Sequence, residues 1–461
     1  MNKEKIAIIG SGPGGYVAAI RASQLGAEVT VIEEEAIGGT CLNHGCIPTK
    51  TLLTSAELFN SFKEAEEFGV CTGEIKADFA KIMERKSRVV DNLRGGIQMI
   101  FKKRGIQLIH GKGTLISPQR IQVVSSMSVK EMDASKILIT TGSKPTLLPS
   151  LKLQQPSILS TKEALDLKKL PNSILIIGGG AIGLEFACFF NALGTRVTLV
   201  EMMDQLLPNE DKRISRQIAQ ILKKRGVNIL LKTSVKDIVS QSNEGITCLL
   251  ENGDKVSAEK LTLSIGRKPN SQGIGLEHIG VHIDKRGNIL VNKKMETNVT
   301  GIYAAGDVIG GMLLAHVASA ESIIAVENAL GIESQIDYST IPRCVYTFPE
   351  IASVGQTADE ALASKREVKT GWFPFSASGK ACVIGQAYGS VYLLVEKGTE
   401  KIIGGQIIGP HATELIHEIA LAIKLGITAE DLSSTIHAHP TLSESIAEAA
   451  HSVNKKAIHI L

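Results

Sequence analysis

The chain has 461 residues, with 50 Lys and Arg against 47 Asp and Glu, a net charge of +3, and 43% hydrophobic but only 4% aromatic residues. That length corresponds to about three domains of ordinary size, and the two signs of charge are interspersed, which excludes the basic stripe that nucleic-acid binding uses. The 44 glycines favour alternating strands and helices joined by tight turns over an all-β design.

MNKEK leads straight into IAIIGSGPGG, an apolar run too short and too glycine-broken for a signal peptide. No later stretch holds about 18 uninterrupted apolar residues, so the expectation is a soluble, cytoplasmic protein that neither crosses a membrane nor binds nucleic acid. Cysteines at 41, 46, 71, 188, 248, 344 and 382 are an odd, scattered set and not a secreted disulfide framework. In a reducing compartment a disulfide is usually catalytic or sensing.

Residues 6–33 predict strand IAIIG, glycine turn SGPGG, helix YVAAIRASQLG and strand AEVTVIE. Gly10, Gly12 and Gly15 form G-x-G-x-x-G, and Glu33 follows 23 residues after the first glycine. After a strand and opening a helix, this spacing is a dinucleotide fingerprint. The glycines admit a pyrophosphate, the helix N-terminus supplies free N–H groups, and the acid accepts from ribose hydroxyls.

Next comes GGTCLNHGCIPTK (38–50). On a regular helix Cys41 and Cys46 would sit with Cα atoms roughly 8.6 Å apart, beyond the about 7 Å a disulfide tolerates. They pair only if the helix is distorted or begins between them, and Gly45 makes that easy. With Pro48 in its first turn, a helix is predicted from Ile47 to about Asn60. Cys46 then lies near a helix N-terminus, where the dipole stabilises a thiolate. Lys50 follows on the same helical face; by spacing alone it is either part of the site or a solvated lysine.

ILITTGSKP (137–145) reads as a strand ending in a small-residue turn. Residues 174–201 then repeat the first unit, with Gly178, Gly180 and Gly183 as fingerprint glycines and Glu201 again 23 residues on. Two dinucleotide sites suggest one flavin and one nicotinamide. The EMMDQLLP after Val200 offers no Arg or Lys, which favours NAD over NADP. LTLSIGRKPN (261–270) closes the second unit as 137–145 closes the first, and GIYAAGDV (301–308) ends a further strand at Asp307, a sugar-hydroxyl ligand or a helix cap. This order divides the chain into a flavin domain of 1–145 and 270–338, a nicotinamide domain of 146–269, and a C-terminal domain of 339–461. In the last, HAHPTLSE places His439 five residues before Glu444: an imidazole base with a carboxylate to fix its tautomer, or two surface histidines before a helix capped by Thr441 or Ser443.

Taken together these motifs resemble the pyridine nucleotide-disulfide oxidoreductases over essentially the full length, GGTCLNHGCIPTK matching the family pattern G-G-T-C-x-N-x-G-C-I-P-[ST]-K. The closest likeness is to the branch that reoxidises lipoyl groups of 2-oxo acid dehydrogenase complexes. The resemblance implies two Rossmann-like α/β domains for FAD and NAD plus a C-terminal α+β dimerisation domain. It makes Cys41 the thiol that meets substrate and Cys46 the flavin-side thiolate, with Lys50 beside the flavin, Glu185 its partner near the nicotinamide, and His439 the acid–base held by Glu444. FAD contacts fall to Gly10, Gly12, Gly15, Glu33, Thr40, Lys50, Gly113, Thr141, Gly142, Ser143, Asp307, Leu313, Leu314, Ala315 and His316. NAD contacts fall to Gly178, Gly180, Gly183, Glu185, Glu201, Val235 and Gly266, and no metal is called for. It also implies a homodimer in which His439 serves the other subunit's disulfide, and partners in the lipoyl domains and acyltransferase core of such complexes.

Three positions depart from the common pattern: His44 for Val, Thr49 for Ser and Leu313 for Met. A His44 cation would lower a thiol pKa, unless the ring points into solvent. The other five cysteines are expected to serve packing. Mercuric reductases share the cysteine motif but need a C-terminal cysteine pair where this chain reads KKAIHIL. Glutathione reductases favour NADP and lack the H-A-H form. A purely structural subunit would not need two cofactor motifs, a dithiol and a base.

Overall fold

The computed structural model describes residues 3–146 and 156–460. Met1, Asn2 and Leu461, from the terminal stretches quoted above, lie outside them, as do residues 147–155.

The first unit runs β1 (Lys5–Ile9), α1 (Pro13–Gln24), β2 (Glu28–Glu33), α2 (Gly39–His44), α3 (Cys46–Lys63), α4 (Phe79–Arg104), β3 (Gln107–His110) and β4 (Lys136–Ile139). The second runs β5 (Ile158–Leu159), β6 (Ser173–Ile177), α5 (Ala181–Ala192), β7 (Arg196–Val200), β8 (Asn228–Leu230) and β9 (Lys260–Leu263). The chain then returns with β10 (Ile302–Ala304) and α6 (Ala315–Ala329). The two sheets are parallel, in the orders β10-β4-β1-β2-β3 and β8-β7-β6-β9-β5. Their central strands are buried apolar runs such as Ile6–Ile9 and Ile174–Ile177, as strands covered on both faces must be.

The spacing of 23 residues seen in the sequence is the strand register itself. Lys5 pairs with Glu28 and Ser173 with Arg196, the same offset in both units. Continued one step, the Gly10 N–H donates to the Ile32 carbonyl and the Gly178 N–H to that of Val200, so Glu33 and Glu201 emerge beside the glycine turns. In each turn the third fingerprint glycine packs on the carbonyl of the first, leaving no room for a Cβ at Gly15 or Gly183. Gly14 brings α1 close to α6, where a Cβ would come within 2.9 Å of Ser322 Oγ.

The C-terminal part forms an antiparallel sheet of β11 (Arg343–Val345), β12 (Glu350–Gly355), β13 (Val368–Pro374), β14 (Ser390–Glu396) and β15 (Ile402–Gly409), in the order β11-β12-β15-β14-β13. Helices α7 (Ala412–Leu425) and α8 (Glu444–Val453) contribute Ile416, Ile419, Ile446 and Ala449 to its core. This α+β arrangement and the two doubly covered sheets are the fold class read from the sequence. Among the described residues no helix is long and apolar enough to cross a membrane.

Candidate active site

The cysteine pair straddles a break between two helices. α2 stops at Gly45 (φ −144°, ψ −113°) and α3 begins with Cys46, one residue earlier than expected and reaching Lys63 rather than Asn60. The break falls on the glycine itself, so Cys46 needs no helical predecessor. A Cβ on Gly45 would lie 3.0 Å from the Thr40 carbonyl oxygen and 3.3 Å from Cys41 Cα; glycine lets the two segments abut without crowding. Both cysteines are free thiols, and they are unequal. The Cys41 thiol donates to Cys46 Sγ, which pushes Cys41 far above the ordinary thiol range, with burial adding to it. The same bond pulls Cys46 down to about 7, against burial and helped by the Lys50 cation. Of the two, Cys46 is the one shifted toward the thiolate.

Lys50 is not a solvated lysine. Its Nζ donates to Glu185 Oε1 and Oε2 on α5 at 2.9 and 2.8 Å, and lies 4.6 Å from the centre of the Tyr346 ring. Glu185 is 5% exposed and also accepts from the Tyr346 N–H. One ion pair thus joins the first unit, the second and the C-terminal sheet.

A cavity of about 530 Å³ opens from the first glycine turn to this ion pair. Its wall includes Gly10, Gly12, Glu33, Thr40, Gly113, Thr141, Gly142, Ser143, Asp307, Leu313, Leu314 and Ala315, together with Cys41, Cys46, Lys50 and Glu185. Gly15 lies behind it, against Gly10. The shape fits a dinucleotide. A Cβ on Gly12 would meet nothing nearer than Gly39 Cα at 3.9 Å and would simply occupy the cavity floor. α1 has no side-chain cap and no acid in its first turn, so its terminal N–H groups are left for an anion. Glu33 accepts from Ser11 and Glu35 N–H at 2.8 Å each, and its remaining lone pairs suit hydroxyl donors.

Other expected residues lie elsewhere. His316 opens α6 but its Nε2 is 3.0 Å from the Pro342 carbonyl oxygen, outside the cavity wall, and burial lowers its pKa. Gly178, Gly180, Gly183, Glu201, Val235 and Gly266 line no part of the cavity. Around Gly180 and Gly266 a Cβ would meet nothing within 4 Å, and α5 also lacks a side-chain cap. Glu201 is buried, accepting from Gly179 N–H at 2.6 Å and Met203 N–H at 2.8 Å. Val235 packs against the core of the second unit.

His439 stands apart from the thiols of its own chain. Its side chain is 80% exposed, it is absent from the cavity wall, and its Nδ1 lies 2.9 Å from Glu444 Oε1. Burial acts to raise the Glu444 carboxyl, but the Thr441 N–H and the two histidines outweigh it and leave the group below its ordinary value. Ser443 takes the cap position of α8, one of the two that spacing allowed, but its side chain makes no bond to the helix.

Several residues of the wall were not singled out from the sequence. Arg267, from LTLSIGRKPN, donates through Nε to Ser143 Oγ and through Nη2 to the Ser143 carbonyl, both at 2.7 Å, and Ser143 Oγ in turn donates to Asp307. Only its position just after a strand-end glycine, where 137–145 carries Ser143, could have flagged it. Asn43 donates to the carbonyls of Ala36, Ile37 and Gly39 while its oxygen accepts twice from Arg94 on α4, bracing the segment that bears Cys41. His44 does not point into solvent: it lines the cavity 3.8 Å from Glu35, and burial lowers its pKa. A neutral ring is no cation beside the thiols. Of the five cysteines assigned to packing, Cys188 and Cys248 are buried, Cys344 lines the cavity, and Cys71, in an irregular stretch, and Cys382, on the short helix Gly379–Val383, are exposed.

Comparison with known proteins decides the family. Residues 4–322 match the model of the pyridine nucleotide-disulphide oxidoreductases, and residues 341–450 match that family's dimerisation domain. The chain belongs to the pyridine nucleotide-disulphide oxidoreductases. Within this oxidoreductase family it is 43% identical to dihydrolipoyl dehydrogenase of Bacillus subtilis, over 98% of each chain. It is 40% identical to the mitochondrial dihydrolipoyl dehydrogenase of Pisum sativum, over 100% of this chain and 93% of that one. Among solved structures of similar shape, LpdA from Mycobacterium tuberculosis superposes with a TM-score of 0.91 at 31% identity, covering 98% of this chain and 99% of the other.

Proposed function

We propose that the protein is an FAD-containing, NAD-dependent dihydrolipoyl dehydrogenase, which oxidises protein-bound dihydrolipoamide to lipoamide. The observation that carries this reading is the pair of thiols, Cys41 and Cys46, set either side of the helix break at Gly45 on the wall of the cavity that also holds Lys50 and Glu185. Gly12 and the start of α1 would hold the FAD pyrophosphate, Glu33 its ribose, Asp307 its sugar-chain hydroxyls, and Lys50 would sit beside its ring. NAD would bind over the α5 turn, with the buried Glu201 carboxylate selecting against the 2′-phosphate of NADP. The domain limits are those expected above.

His439, oriented by Glu444, takes the proton of one dihydrolipoyl thiol. The thiolate attacks Cys41 Sγ of the oxidised pair, forming a mixed disulfide and releasing Cys46 as thiolate. The second substrate thiol attacks the substrate sulfur of the mixed disulfide, closes the lipoyl ring and displaces Cys41, which leaves with that thiol's proton while His439 keeps the first. Lys50 holds the negative charge on Cys46. Bound FAD would supply the two-electron acceptor between the thiol pair and NAD; as the pair is oxidised the Cys41–Cys46 disulfide re-forms, and the protons on Cys41 and His439 are released to solvent. Because His439 is exposed and away from its own cavity, it works on the thiols of a second copy in a homodimer. In the cell we place the enzyme in the cytoplasm, with lipoyl domains and the acyltransferase core of a 2-oxo acid dehydrogenase complex as partners.

The test is NADH formation from dihydrolipoamide, with NADP and with glutathione as controls. Strong activity with NAD alone supports the reading. Turnover only with glutathione or mercuric ion would overturn the substrate assignment.

A further inference from the structure

The H-A-H-P motif contains a second histidine to which the reaction assigns no task. Only 9% of the His437 side chain is exposed, in contrast to His439. Its Nε2 lies 2.7 Å from Glu418 Oε1 on α7, and its Nδ1 lies 2.8 Å from the Thr435 carbonyl oxygen. Both oxygens only accept, so both bonds are made when both ring nitrogens carry hydrogen.

The surroundings give this pair its weight. The helix Ala429–Ser434 ends just before the motif and α8 starts at Glu444. From Ser434 to Pro440 every residue except His437 is exposed, Ile436 included, and the next apolar anchor is the buried Leu442. Nothing apolar therefore fixes the stretch that carries His439. It is tied at one end to α8, through Glu444, and at the other to α7, through His437 and Glu418.

We infer that His437, held by Glu418, is a positioning residue for the dithiol half of the reaction, setting the direction in which the His439 ring is offered to the neighbouring subunit. This rests on the proposed role of His439. Displacing a reacting group by about 1 Å costs on the order of a hundredfold in rate, so a loosened tether is felt in turnover rather than in substrate affinity.

The test uses the holoenzyme and two assays: dihydrolipoamide to NAD, and NADH to ferricyanide, which needs neither thiol chemistry nor His439. His437→Ala and Glu418→Ala should each lower kcat with dihydrolipoamide by about tenfold or more, with KM and the ferricyanide rate nearly unchanged. His437→Asn, which can still donate to Glu418, should recover part of the loss, and the double variant should be no slower than the slower single one. Losses of equal size in both assays, or single losses that multiply in the double variant, would overturn the inference. His439→Gln separates the two levels: if it leaves dihydrolipoamide oxidation intact, the proposed function of His439 is wrong; if it abolishes oxidation while His437→Ala and Glu418→Ala match the native rate, only the positioning role fails.

Discussion

Lys50 and Glu185 stand 135 residues apart in the chain and meet at 2.8 and 2.9 Å across the seam between the two glycine-turn units. The two partners differ in exposure, the carboxylate being the more buried. Lys50→Met strands a buried anion and should cost about 3 kcal/mol. Glu185→Gln leaves a lysine able to turn toward solvent and should cost less. Denaturant midpoints of the two variants check the order.

The fingerprint glycines should fail in different ways. Gly12→Ala fills open space, so the fold should hold to within about 0.5 kcal/mol while retained flavin drops sharply. Gly15→Ala drives a Cβ into the Gly10 carbonyl and should destabilise by about 2 kcal/mol. Flavin absorbance per protein and the melting temperature, read together, separate the two effects.

Removing the Cys41 thiol should raise the pH at which Cys46 ionises. In the native pair the Cys41 donor stabilises the Cys46 anion, so in Cys41→Ala the thiolate should appear only above about 7, the native value. Burial pushes Cys188 and Cys248 up to about 11 and Cys344 to about 12, so these stay protonated near neutrality. Far-ultraviolet thiolate absorbance, taken as the difference from Cys46→Ser, gives the titration. An unmoved midpoint would mean that the bond between the thiols does not set the asymmetry.

Gly45→Ala should keep the fold yet disfavour the disulfide. The added Cβ presses on Thr40 and Cys41 backbone atoms, which cannot move as a side-chain tip can. Equilibration with glutathione buffers should show the dithiol favoured by about tenfold more than in the native protein, equivalent to about 1.4 kcal/mol.

What the sequence made legible was whatever chain distance encodes. The step from Gly10 to Glu33 is a strand register, and the cysteine spacing demanded a break that Gly45 supplies. Spacing was silent where the fold joins distant segments. Nothing local links Lys50 to Glu185, Arg267 to Ser143, or Arg94 to Asn43. The resemblance to a family named the first of these and missed the other two. For His44 the sequence left solvent and cation both open, and the structure selected neither, because burial in the cavity wall opposes the charge.

The strand β10 joins the first sheet from residues 302–304, long after the second sheet has been assembled from the single stretch 158–263. On a ribosome, where chains emerge from the amino end and folding units usually form in that order, the first unit is begun before the second but completed after it. Its outer strand, Asp307 and the helix that Gly14 packs against all arrive only after the second unit has been made. The β4 edge that β10 covers is made by Ile139 and waits for Ile302, roughly a third of the chain's synthesis, and a translation pause near the start of β10 leaves that apolar edge exposed to other chains.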